Sequence, residues 1–176
     1  MNLLHELSIG EKSPEVINVI VEIPKGSKNK YEIDKETGLI ALDRAMHTAQ
    51  DYPFDYGFAP QTYWDDGDAL DVVLLTTYPL APSILVRARP VGIMNMLDDG
   101  DSDAKIIAVP AKDPRWDEVT DLSHVNKHTL KEIEHFFTTY KKIQDKVVEV
   151  TGWGDKNAAL EAVNRSVDLY KEKFGK

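Results

Sequence analysis

Four carboxylates crowd into seven residues, Asp65-Asp66-Gly67-Asp68-Ala69-Leu70-Asp71, and the apolar run Val72-Val73-Leu74-Leu75 follows without a break. No other stretch constrains the fold as tightly. The apolar run has to be buried. The carboxylates cannot all stay ionised cheaply within a few ångströms of one another, so they must lie where a cation or water offsets the repulsion. The chain has no cysteine, and no histidine lies between His47 and His124. The heptad therefore offers oxygen donors alone, which suit Mg²⁺, Mn²⁺ or Ca²⁺ rather than zinc or copper. Taken by itself it reads as a solvated acidic loop ahead of a strand. Its neighbours shift the reading toward a cation site.

Most of the early elements are short and strand-like. Val16 to Ile23 is a β-branched run broken only by Asn18 and Glu22, which predicts a buried strand. Lys30–Ile33 and Leu39–Leu42 flank Asp34-Lys35-Glu36-Thr37-Gly38 and predict a hairpin. Tyr52 to Tyr63, rich in aromatics, Pro and Gly, reads as a packed irregular loop. Strands are expected again at 72–76, at 84–94 with a bend at Pro90 and Gly92, and at 105–109 before Pro110. Leu130, Ile133, Phe136, Phe137, Tyr140 and Ile143 recur at helical spacing, as do Leu160, Val163, Val167, Tyr170 and Phe174; Val147–Val150 lies between them as a strand. Strands first and helices last argue for an α+β chain, with a bent sheet or small barrel that hides its edges and helices packed against it. At 176 residues a single domain, 1–176, is expected.

A second acidic stretch, Asp98-Asp99-Gly100-Asp101-Ser102-Asp103, also sits between two expected strands, so the two acidic loops can converge on one site. Neither fits a calcium-binding EF-hand, which needs Gly at position six and Glu at twelve. Counting from Asp66 those positions are Asp71 and Thr77, and from Asp99 they are Ala104 and Pro110. Lys30 lies beside Tyr31, Arg44 follows Leu39–Asp43, Lys105 opens an expected strand and Lys141 follows Tyr140. Any one of them alone is an ordinary surface charge. Together with the carboxylates they suggest a phosphate held between metal ions and cationic side chains. A net charge of −9 argues against general nucleic-acid binding. No window approaches a membrane span and the N-terminus lacks a basic leader, so the expected location is the cytoplasm. Asn164-Arg165-Ser166 matches a glycosylation acceptor, but it falls on an expected helix and reads as chance.

Several motifs in register carry a resemblance. Val21-Glu22-Ile23-Pro24, Lys30-Tyr31-Glu32-Ile33-Asp34, Asp43-Arg44, Tyr52-Pro53-Phe54-Asp55-Tyr56-Gly57-Phe58, the acidic heptad, Val91-Gly92-Ile93-Met94, Asp98 to Lys105, Tyr140-Lys141 and Val150-Thr151-Gly152-Trp153 occur in an order similar to soluble family I inorganic pyrophosphatases of the bacterial type. The resemblance implies a highly twisted five-stranded OB-like β-barrel with two α-helices packed against it, assembled as a homohexamer. It implies hydrolysis of pyrophosphate to two orthophosphates with several Mg²⁺ ions per site, Mn²⁺ being a substitute. By position, Asp66, Asp71 and Asp103 resemble ligands of the two ions at the attacking water, and Asp98 and Glu22 resemble ligands of ions arriving with substrate. Lys30, Arg44, Tyr56, Lys105, Tyr140 and Lys141 resemble the phosphate-contacting set. Glu32 and Tyr52 lie near it, and Asp68 stands where the family has its general base.

Two positions depart from the family pattern. Ala69 replaces the usual Pro or Glu and removes no ligand, while Asp55 replaces a frequent Asn and adds a charge. Two readings of other classes compete with the enzyme. A non-catalytic metal-binding module would have no need of Lys30, Arg44 and Lys141. An OB-like oligonucleotide binder is opposed by the excess of acid.

Overall fold

The computed structural model describes residues 1–175. Its strands are β1 (Ile17–Ile23), β2 (Asn29–Ile33), β3 (Ile40–Ala45), β4 (Asp55–Phe58), β5 (Asp71–Leu74), β6 (Leu85–Asp98), β7 (Asp101–Ser102), β8 (Lys105–Pro110) and β9 (Val148–Gly154), and its helices are α1 (Lys127–Thr139) and α2 (Lys156–Phe174). Five strands close a ring in the order β1-β4-β5-β8-β6 and back to β1. Every ring contact is antiparallel except β5 with β8. Closure leaves each ring strand paired on both edges, which removes the unpaired backbone that short strands otherwise expose. This is the OB-like α+β architecture. The β2–β3 hairpin forms its own two-stranded sheet, and β9 extends the barrel by pairing with the far half of β6.

Alternation along the strands divides the apolar residues between two faces. Val72, Leu74, Ile106 and Ala108 pack in one cluster with Ala159, Ala162 and Val163 of α2. Val73, Ile107 and Val109 pack in the other with Ile133, Phe136 and Phe137 of α1. Asp71 and Lys105 continue the second row by strand parity, so the face covered by α1 runs on into the charged end of the barrel. Asn126 caps α1 by accepting from the amide of His128 at 2.8 Å, and Asp155 caps α2 by accepting from Ala158 at 3.0 Å.

Three local expectations change. The stretch 52–63 is not wholly irregular, because β4 lies inside it with all four residues buried. A strand buried on both faces shows no alternation to reveal it. Gly57 is required there, since a Cβ would fall 1.9 Å from the Ile20 carbonyl oxygen on β1. The first helix ends at Thr139 rather than running through Ile143, which sits exposed in a short 3₁₀ turn, Lys142–Gln144. Finally, β6 continues to Asp98 because β9 pairs with its residues from Ile93 onward. The expected bend at Pro90 and Gly92 is a register shift against β8.

Asp55, the extra charge noted in the sequence, proves to be a buried fastening. Its Oδ1 accepts from the amides of Lys25 at 2.8 Å and Leu80 at 3.2 Å, and its Oδ2 pairs with the Thr76 hydroxyl. An Asn can keep both amide bonds on its carbonyl oxygen and donate its NH₂ to Thr76. Asp55→Asn is therefore expected to change stability by under about 1 kcal/mol. Asp55→Ala leaves the Lys25 and Leu80 amides and the Thr76 hydroxyl without their partly buried acceptor and should cost roughly 2–4 kcal/mol. Urea unfolding of the two variants checks this, and equal losses would contradict the hydrogen-bond account.

Candidate active site

The acidic heptad spans the entry into β5, and its shape comes from its own backbone. Gly67 adopts φ +88°, a conformation that ordinary side chains rarely take. That turn lets the Trp64 amide donate to the Asp68 carbonyl at 2.8 Å and the Gly67 amide to the Trp64 carbonyl at 3.0 Å. Inside the turn, the Asp68 amide donates to Asp66 Oδ1 at 3.0 Å. Asp71 is the first residue of β5 and stands opposite Lys105, the first residue of its parallel neighbour β8. Asp103 precedes Lys105 by two residues. The two acidic loops thus meet because β5 and β8 start side by side.

Carboxylate oxygens of Asp66, Asp71 and Asp103 come within 4.8 Å of one another. Between them sits the Lys105 ammonium, 2.6 Å from Asp71 and also paired with Asp103. Lys105 is 3% exposed and lies over the rings of Tyr56 and Phe137. Burial alone would favour its neutral form, but Asp71 and Asp103 outweigh that and hold it protonated far above the usual lysine range. One ammonium does not balance the site. Burial, helped by Asp71 and Asp103, pushes Asp66 up to about 7. Burial also raises Asp71 against the pull of Lys105. Glu22 on β1 is pushed up to about 8 by burial and by Asp71, although it accepts from the Ile33 amide at 2.8 Å. Carboxylates strained in this way, close together and all oxygen, fit a hard divalent cation. Asp66, Asp71 and Asp103 are the residues that could hold it, with Glu22 and Asp98 nearby.

A cleft of about 420 Å³ opens over this cluster. Of the residues singled out in the sequence, Glu22, Lys30, Glu32, Tyr52, Tyr56, Asp66, Asp68, Asp71, Asp98, Asp103, Lys105, Tyr140 and Lys141 all line it. Arg44 does not. It sits across the hairpin from Lys30, paired with Asp43, close enough to act electrostatically on Tyr52 and Tyr140. Lys30 pairs with Glu32, and Lys141 with Asp98. Lys141 comes just past the end of α1 rather than on it. The tyrosines are set by an aromatic cluster: Tyr52 packs on Phe136 at 4.7 Å, Phe136 stacks with Tyr140 at 5.0 Å, and Phe54 stacks with Phe137 at 5.4 Å. Burial raises all three hydroxyls, so they stay protonated as donors.

The structure adds lining residues that the sequence reading did not assign: Tyr31, Lys35, Asp99, Asp101 and Lys146. Lys35 reaches from the hairpin turn to pair with Asp68. Asp99 and Asp101 were visible as part of the second acidic stretch, whereas Lys35 and Lys146 had no signal beyond being surface lysines. Ala69 packs beside Leu4, Ile20 and Phe58 and displaces no carboxylate. Among the described residues no helix is long and apolar enough to cross a membrane.

Comparison with known proteins gives one consistent answer. A family model described as "Inorganic pyrophosphatase" matches residues 19–171. The inorganic pyrophosphatase of Haloferax volcanii is 46% identical over 175 residues, covering 99% of each chain. A soluble inorganic pyrophosphatase of Arabidopsis thaliana is 48% identical over 168 residues, covering 96% of this chain and 78% of its own. The crystal structure of the inorganic pyrophosphatase from Thermus thermophilus superposes with a TM-score of 0.94 at 47% identity, over 97% of this chain and 99% of the other.

The raised carboxylates have a consequence for stability. Glu22 and Asp66 bind protons more tightly folded than unfolded, so their contribution is fullest below the unfolded values and is lost as pH rises toward 8. The depressed acids Asp34, Asp113 and Asp121 lose theirs only at lower pH, outside this window. Metal-free protein should therefore melt at a lower temperature at about pH 8 than at about pH 5. Glu22→Gln should flatten the slope, and Mg²⁺ should restore the midpoint at the higher pH by binding the folded state. A flat or rising profile without metal would contradict the electrostatic reading.

Proposed function

Because the chain belongs to the inorganic pyrophosphatase family and splits pyrophosphate into two orthophosphates, we propose that the reaction runs in the cleft around Asp66, Asp71 and Asp103, with residues 1–176 acting as one catalytic domain. The observation that supports this placement is the approach of those three carboxylates within 4.8 Å in a cleft that lysines and tyrosines also line. A metal module alone has no use for those lysines and tyrosines. Mg²⁺ held there would neutralise substrate charge and make water a better nucleophile, with Mn²⁺ a substitute.

The chain's own groups supply the rest. Asp66, Asp71 and Asp103 would hold the cations at the attacking water, and Asp98 and Glu22 those that accompany the substrate. Asp68 would take the proton from the attacking water. Its carboxylate is more than half exposed and lies outside the three clustered acids, paired with the Lys35 ammonium, so it can pass that proton on to solvent. Lys30, Lys105, Lys141, Tyr56 and Tyr140 would bind phosphate oxygens, with Tyr52 and Glu32 beside them. Arg44 requires a change of partner from Asp43 to join them.

Phosphate release from pyrophosphate should vanish in excess EDTA and return with Mg²⁺. Asp68→Asn should slow turnover by ~10²–10⁴-fold, the span for losing a general base. It should leave the Mg²⁺ requirement nearly unchanged, whereas Asp71→Asn should raise the Mg²⁺ concentration needed for half-maximal rate. Near-normal turnover of Asp68→Asn at saturating Mg²⁺ would remove Asp68 from the role of base.

A cytoplasmic location and a homohexameric assembly complete the proposal, and both rest on the sequence reading. Sedimentation at micromolar concentration should show the hexamer, and a monomer there would refute it.

A further inference from the structure

Every carboxylate of the heptad lines the cleft except Asp65. Asp65 turns the other way and meets Arg165 of α2, with Nη2 at 2.7 Å from Oδ1. The same guanidinium lies 4.6 Å over the ring of Trp64, which is only 7% exposed. One residue earlier, the Tyr63 amide donates to the carbonyl of Ser166 at 2.9 Å. Three consecutive residues at the root of the acidic loop are thus tied to two consecutive residues of the C-terminal helix, by a backbone bond, a stacked cation and an ion pair. The ion pair alone would contribute little, because both partners are partly exposed. Its effect comes from acting with the other two ties on a segment that also carries Asp66.

We propose that Arg165 is a positioning residue for the cation site. It holds Asp65 and Trp64 against α2 so that the turn around Gly67 presents Asp66 to Asp71 and Asp103 before any ion arrives. The proposal rests on the reading that those three carboxylates bind the cation. Its physical content is preorganisation: four like charges in seven residues tend to splay the loop, and anchoring its root lowers what an ion must overcome to gather the ligands.

A brace and a simple charge effect predict opposite signs. Arg165→Met keeps the length of the side chain and removes its charge. Taking a positive charge away from a cation site should by itself tighten cation binding. Losing the brace should weaken it, by roughly 3–10-fold, less than the ~10–100-fold typical of groups that touch a ligand directly. Asp65→Asn should weaken binding by no more than this, and the Arg165→Met/Asp65→Asn pair should be no worse than Arg165→Met alone, since Asp65→Asn breaks only a tie that Arg165→Met already breaks. Arg165→Lys should recover part of the loss.

Two measurements decide, neither using catalysis. Calorimetric titration with Mg²⁺ gives the affinity of each variant. Amide exchange in metal-free protein reports the loop itself, where the Trp64 and Gly67 amides should exchange faster in Arg165→Met while those of β5 stay protected. Equal or tighter Mg²⁺ binding by Arg165→Met, with unchanged exchange in the loop, would overturn the brace and leave the cation site standing. Absence of Mg²⁺ binding by the unaltered protein would overturn the site and the brace together.

Discussion

The structure turns on one buried ammonium. Lys105 opens β8 directly beside Asp71 at the start of β5, in the one parallel pairing of the barrel ring. Parallel strands start at the same end, so their preceding loops are brought together, and here both loops are acidic. Without a cation between Asp71 and Asp103 the repulsion would act at the β5–β8 seam of the ring. A buried charge is itself costly, and removing one partner of such a group leaves the others uncompensated, typically at 3–5 kcal/mol. Lys105 thus ties the pairing of β5 with β8 to the acidic cluster. It supplies only part of the positive charge that the site calls for.

The second constraint comes from β4, which shares its long side with β1 and β5. It has room for no side chain at Gly57, places Asp55 where its carboxylate fastens two loops, and sends Tyr56 onto Asp71 and beneath Lys105. A single four-residue strand therefore carries a steric requirement, a polar fastening and a site residue. The neighbouring aromatics Tyr52 and Phe54 extend this by packing on α1, which fixes where Tyr140 and Lys141 emerge.

Much of this was legible in the sequence for an identifiable reason. The heptad and the second acidic stretch announce themselves because clustered carboxylates before apolar runs have few physical solutions. Their convergence was readable as a possibility, and the parallel β5–β8 pairing makes it a fact of the fold. β4 was hidden because Asp55-Tyr56-Gly57-Phe58 is only four residues long, lies between Pro53 and Pro60 and has no β-branched residue. The end of α1 was overrun because Ile143 keeps helical spacing while lying in a turn whose next residue, Asp145, is left-handed. The Arg165–Asp65 tie joins residues a hundred positions apart, and neither carries a local mark. Arg44 shows the converse case: its place in a motif was clear, yet in the structure it turns to its own neighbour Asp43.

The cleft's charge sets the order of events there. Nine carboxylates and five lysines line it, so even with Glu22 and Asp66 partly protonated its wall is net negative. Pyrophosphate is a polyanion and is repelled by such a wall. Divalent cations are drawn to it, all the more because neighbouring carboxylates already compete for too few positive charges. If the reaction runs in this cleft as proposed, cations would enter before the diphosphate or together with it. The lysines would then act on a site whose sign has been reversed. Lys30 and Lys141 are each paired to a carboxylate, Glu32 and Asp98 respectively. Under the proposed function, a cation held by Asp98 would free Lys141 for the phosphate oxygens. The Lys141–Asp98 pair would in this sense be a reserve of positive charge, freed as the acidic loops take up ions.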